Sequence, residues 1–360
     1  MGSRRLKPKV IDLATRSRDL LVSYHLTAQD CVYLGQKRGD LVKLRRRTYE
    51  EMWRQPSKGF TPSAVEGTGL LLSSLSLGCA RLDVDGHQIW QNDNYFAPSY
   101  VGDQLLAYAW APEGPNRVAR LDPNSGAVLR EWMLPIGFGW PLCLAGLRAL
   151  GTKGDLVIRY DLEREEIIWR KSYGSELVGS PREEQQGEAL SLPGPSTAIS
   201  TVLVETAPIS IHPFDDETVL LDSIALARCS IADGSLLWRF KTRLHPTKPY
   251  RSRGRILFLD HDALVGLDEA TGDEVFRRRY NFELDFHFAT RETFGVCYRN
   301  RLAIPFEEGY LAIIDTDDGR IVSMHRERKS LWRAAEIDGD LLLCTGGGTA
   351  LIYGPEIWQF

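Results

Sequence analysis

Eight times along the chain the same unit returns: an apolar strand, a polar turn, and a second strand with an aromatic residue or its substitute at a fixed place after the turn. The copies read VKLRRRTYEEMW to Trp53, ARLDVDGHQIW to Trp90, ARLDPNSGAVLR to Arg130 and IRYDLEREEIIW to Trp169. They continue as ARCSIADGSLLW to Trp238, VGLDEATGDEVF to Phe276, AIIDTDDGRIVS to Ser323 and a clipped ALIYGPEIW to Trp358. The intervals are 37, 40, 39, 69, 38, 47 and 35 residues. Such a period constrains a chain more than its composition does, because one unit cannot bury its own apolar face and must stack on its neighbours.

Four strands of five or six residues with their turns add up to roughly 40 residues, the size of a four-stranded antiparallel blade. The third copy divides into strands over about 96–101, 103–109, 117–122 and 126–132. Asp122 caps its outer turn and Gly126 supplies the positive φ that closes it. The aromatic residue is expected to wedge between neighbouring sheets, opposite the small Ala80, Ala119, Ala227, Ala312 and Ala350. The expected fold is therefore all-β, a single β-propeller of four-stranded antiparallel blades over residues 19–360, preceded by an N-terminal segment 1–18. Eight blades are expected, with seven as the alternative because the first and last copies are degenerate.

The pattern A-x-L-D-x-x-x-G-x-x-x-W resembles the tryptophan-docking motif of pyrroloquinoline-quinone-type (PQQ-like) β-propellers, and the resemblance covers residues 19–360. That family usually has eight blades and includes both quinone enzymes and binding scaffolds. Its quinone enzymes are secreted and carry a vicinal disulfide, whereas this chain has no Cys-Cys pair. The quinone is therefore not expected, and the cofactor stays unknown.

With 43% hydrophobic residues the chain can bury a large core, and a net charge of −4 from 44 basic and 48 acidic residues gives no electrostatic reason for a nucleic-acid partner. The basic N-terminus is followed by no apolar segment of signal-peptide length, and no run approaches the ~18 residues that span a bilayer. No membrane association is expected. Six scattered cysteines without a CxxC suit reduced thiols, and a cytoplasmic setting is expected. The runs Arg45-Arg46-Arg47 and Arg277-Arg278-Arg279 read as alternating exposed strand positions.

Functional features are expected where the period breaks. The long interval contains an insertion over about 173–207, whose polar stretch 173–197 reads as a lid, a partner-binding segment or an unconstrained surface loop. A second extended connection, RRRYNFELDFHFATRETF, alternates so that Glu283, Asp285 and His287 share one side. These three, with Arg251 as an anion-stabilising donor, are the candidate catalytic set. Asp260, His261 and Asp262, in the middle hairpin turn of the sixth blade, are candidate metal ligands. The solvated face of a half-buried strand explains the same letters. Aromatic residues recur near the start of the innermost strands, so Phe60, Phe96, Trp140, Phe294 and Trp332, with Lys248 and Tyr250, are candidate ligand-binding residues; packing between blades is the other explanation.

The function expected is that of a cytosolic binding or scaffold propeller whose upper face, formed by blade connections and middle hairpin turns, holds a protein or small-molecule ligand. The alternative is a metal- or acid/base-dependent lyase or hydrolase at the channel mouth.

Overall fold

The computed structural model describes residues 8–12, 24–28, 30–35, 39–66, 69–111, 114–139, 141–144, 146–174, 177, 209–243, 246, 248–260, 263–280, 295–306, 309–327, 331–345 and 348–359. They form eight four-stranded antiparallel sheets, the eight blades of a β-propeller. Blades 1 to 7 are simple meanders over 24–56, 61–92, 96–133, 142–172, 210–241, 250–279 and 296–326. The third blade has strands Phe96–Val101, Gln104–Ala109, Arg117–Leu121 and Val128–Met133, within two residues of the expected cuts.

Blade 8 is built differently. Its inner three strands lie within 331–353, and its outer strand is Lys9–Asp12 from the other end of the chain, in the register Lys9↔Ile352 to Asp12↔Thr349. The eighth repeat thus does not supply its own outer strand. Pro355 has no N–H to give a ladder, and Trp358 sits on a short 3₁₀ turn, Pro355–Trp358. Part of the segment set apart as 1–18 completes the sheet and covers the edge that Thr349–Tyr353 would otherwise expose.

By contact density the chain divides into two units. One comprises 1–136 and 247–360 and holds blades 1–3 and 6–8; the other, 137–246, holds blades 4 and 5. Within each, the middle strands are covered on both faces and read as continuous apolar runs. Cys31–Gly35 and Thr218–Asp222 are buried at every position. Outer strands face solvent: along Val128–Met133 only Trp132 is buried. Cores form between sheets, as where Ala303, Leu311 and Ile313 meet Leu341, Leu343 and Tyr353 in the larger unit, and where Leu150 and Val157 meet Val219 and Leu221 in the smaller. Each such Leu, Ile or Val side chain contributes about 1.5–3 kcal/mol on burial.

Two local expectations change. Arg45 ends a strand, but Arg46 and Arg47 belong to the following turn, so the run does not alternate along a sheet. At the start of the insertion, Leu177 is fully buried in the core of blades 4 and 5, with its N–H on the Tyr173 carbonyl at 2.7 Å. Residues 175, 176 and 178–208, which carry the rest of the insertion, lie outside the described residues.

Candidate functional site

The side chains that join one blade to the next decide which surfaces remain for binding. Trp53, Trp90 and Trp169 each donate an indole N–H to a turn carbonyl of the following blade: Val84 at 2.9 Å, Pro123 at 2.7 Å and Ile231 at 3.0 Å. Their rings lie on the turn glycines, where a Cβ on Gly126 would stand 2.5 Å from Trp90 and one on Gly234 3.0 Å from Trp169. The next blade's glycine thus lies under each of these rings, and the repeated alanine faces the same seam as expected: Ala80 shares a core with Trp53, Ala119 with Trp90 and Ala227 with Trp169.

A cation on the third strand, in register with each tryptophan, gives the same carbonyl a second donor. Lys43 Nζ reaches Val84 O at 3.0 Å, Arg81 Nη1 reaches Pro123 O at 2.6 Å, and Arg159 Nη1 reaches Ile231 O at 2.9 Å. In blade 6 the repeat has Phe276, whose side chain has no donor; Tyr280 Oη donates to Gly319 O at 2.7 Å instead. From blade 8 to blade 1 the roles of large and small exchange. Lys9 Nζ donates to the carbonyls of Thr48 and Tyr49 at 2.8 and 2.9 Å, while Tyr49, at the glycine position of the turn with φ 52°, fills the seam itself and donates to Asp340 Oδ2 at 2.8 Å.

Of the expected catalytic and metal set, Glu283, Asp285, His287, His261 and Asp262 lie outside the described residues, as do Trp140 and Phe294. Asp260 is fully buried and paired with Arg277 at 2.9 Å. Arg251 holds Glu269 in a two-point pair at 2.8 and 2.9 Å. Both have structural partners. Tyr250 is buried, accepts the Gly295 N–H at 2.9 Å, and is pushed up to about 12, chiefly by burial. Lys248 is exposed as a residue, yet desolvation by the surrounding protein, and then the charge of Arg333, hold its pKa below the usual lysine value. Phe60 packs with Tyr33 and Leu70, and Phe96 stands edge-on to Tyr108 at 5.3 Å, so both act as core aromatics. Trp332 lies on the inner strand Leu331–Ile337.

Two polar groupings went unread in the sequence. Asp83, Asp85 and His87 bring their ligand atoms within 4.8 Å of one another. Asp83 Oδ1 already accepts the N–H groups of Asp85 and His87 at 2.9 and 2.8 Å, the ordinary cap of this turn, and the His87 N–H is the main cause of its lowered pKa. In blade 5, His212 Nε2 pairs with Asp222, which is almost fully buried.

A third feature is apolar. Trp110, Met133 and Ile136 of blade 3 are 64%, 55% and 73% exposed, and Leu75 in the middle turn of blade 2 is 67% exposed. Antiparallel topology puts middle hairpin turns and blade-to-blade connections on one face. Asn116 draws the blade 3 segments together, its carbonyl taking the Leu134 N–H at 2.8 Å and its Oδ1 the Ala111 N–H at 3.0 Å. The sequence signal was a tryptophan out of register with the repeat, in the turn AWAPEGP.

The fold is an eight-bladed β-propeller with aromatic-on-glycine seams, similar to the PQQ-like type that the repeat led one to expect. Residues 196–354, fewer than half of the chain, match the model of a family described as outer membrane protein assembly factor BamB. No curated protein matches. The crystal structure of BamB from Moraxella catarrhalis superposes with a TM-score of 0.66 at 14% identity, covering 97% of this chain and 100% of that one. A computationally designed protein, Ika8, superposes at 0.65 with 11% identity, covering 95% and 99%. At these identities the likeness is one of fold.

Proposed function

We propose that this chain is a protein-binding scaffold whose binding surface is the connection face of blades 2 and 3. The observation that carries this reading is the exposure of Trp110, Met133, Ile136 and Leu75 on one face. Large apolar side chains gathered at a surface mark interaction sites, and Trp and Met are enriched in them. The family matched over 196–354 is described as an assembly factor, which accords with a propeller that binds rather than transforms. Arg251 and Asp260 are both held in ion pairs, which suits a structural role. The cytoplasmic setting remains part of the proposal and is tested by fractionating the host cell.

The experiment is native mass spectrometry of the chain purified from its own host, beside a Trp110→Ser/Ile136→Ser variant. The wild type is expected to retain a protein partner, and the variant to lose it with an unchanged melting temperature. A partner retained equally by both, or a small molecule as the only retained species, overturns the reading.

A further inference from the structure

On the opposite face, where inner and outer hairpin turns lie, a cleft of about 450 Å³ opens between blades 8 and 1. It is lined by Asp30, Arg45, Arg46, Arg47, Met52 and Asp338. We propose that this cleft binds an acidic segment of a partner protein, with carboxylates on Arg45 and Arg47 and an apolar side chain on Met52. The proposal rests on the protein-binding reading above but places a second contact on the other face.

The three arginines have different tasks. Arg46 is committed: Nε and Nη2 grip both oxygens of Asp338 at 2.8 and 2.7 Å, and Nη1 donates to Ala28 O at 3.1 Å. That pair neutralises Asp338 and fixes the turn. Among the described residues Arg45 makes a loose pair with Glu50 at 3.6 Å, both side chains more than half exposed, a contact worth little in water. Arg47 is exposed and, among the described residues, is paired with no carboxylate. Its φ of 73° lies in the left-handed region, which glycine enters at no steric cost.

The lining also selects among anions. Asp30 adds a negative charge to the wall and Met52, 44% exposed, adds an apolar one. A compact phosphate would meet Asp30 and leave Met52 uncovered. An extended peptide can set carboxylates on Arg45 and Arg47, turn a backbone N–H toward Asp30 and lay an aliphatic group on Met52. Arg and Met are among the residues enriched in protein interfaces.

The probe is a short fluorescein-labelled peptide alternating Glu and Ser around one central Leu, followed by fluorescence anisotropy. Saturable binding is expected in low salt, weakening as salt screens the charges. Arg47→Gly should weaken it about tenfold or more, as loss of a charge-assisted contact does. The substitution suits the backbone, so the melting temperature should stay the same or rise, which separates lost binding from lost folding. Arg45→Gln should weaken binding less, and Arg320→Glu, on the turn of another blade, should not change it. Absence of saturable binding, equal binding by Arg47→Gly, or displacement by inorganic phosphate at concentrations equal to the peptide overturns the proposal. Trp110→Ser should leave peptide binding intact, so failure of the connection-face reading and failure of this one are seen separately.

Discussion

Four residues before the aromatic residue of the outer strand, or its substitutes Arg130 and Ser323, the backbone turns left-handed in seven blades, and five of them place glycine there: Gly86, Gly126, Gly234, Gly272 and Gly319. Tyr49 and Glu165 occupy the same position with φ of 52° and 54°. The same substitution should have opposite effects at the two. Glu165 is exposed, so Glu165→Gly removes a left-handed strain of about 1–2 kcal/mol against an entropy loss of about 0.4–1 kcal/mol, and should raise stability slightly in denaturant titration. Tyr49 is buried in the seam, and Tyr49→Gly should lower stability by about 2–4 kcal/mol as the cavity outweighs the relieved strain. Gly126→Val should cost more than about 2 kcal/mol, because its Cβ would meet the Trp90 ring at 2.5 Å; a smaller loss would mean that the seam yields. The tryptophan and glycine places were legible because both are extreme in size and recur. The exchange at Tyr49 was not, since one tyrosine in a polar turn shows nothing of what it faces.

Among elements, the strand Lys9–Asp12 has the largest effect for its length. Deleting residues 1–12 should lower the melting temperature by many degrees and produce oligomers on size exclusion, as the edge Thr349–Tyr353 finds other chains. A monomer of unchanged stability would show that the edge needs no cover. The same seam should respond to pH. Burial first, and then the charges of Glu356 and Asp338, raise the pKa of Asp340, while the Tyr49 hydroxyl opposes the shift. A raised carboxyl pKa favours folding most below the unfolded value of about 3.9, and that contribution is lost as pH climbs through the folded value. Asp340→Asn, still able to accept from Tyr49, should therefore gain stability relative to wild type as pH rises through this range, in parallel thermal melts. This strand was hidden from the sequence for a physical reason. Four residues are too few to show a period, and their partners lie at the far end of the chain.

At the scale of the whole molecule, connectivity and shape separate. A circular permutant that opens the chain between residues 12 and 24, and joins residue 359 to residue 8 through a Gly/Ser linker, makes the Lys9–Ile352 pairing local. It should keep its melting temperature within a few degrees and refold faster, because loop closure no longer limits the last pairing. Equal refolding rates would show that closure is not the slow step. The architecture could be read because repetition averages over errors in single blades. The proposed binding surfaces could not, because they depend on which turns share a face and on which arginine is already engaged, as Arg46 is by Asp338. The strand borrowed by blade 8 also sets an order for biosynthesis. At about 5–20 residues per second, the earlier-made strand waits roughly 20–70 s before its pairing partner leaves the ribosome. During that wait the nascent chain carries Val10 and Ile11 without their partners Leu351 and Ala350, and this is the interval in which a chaperone has most to protect.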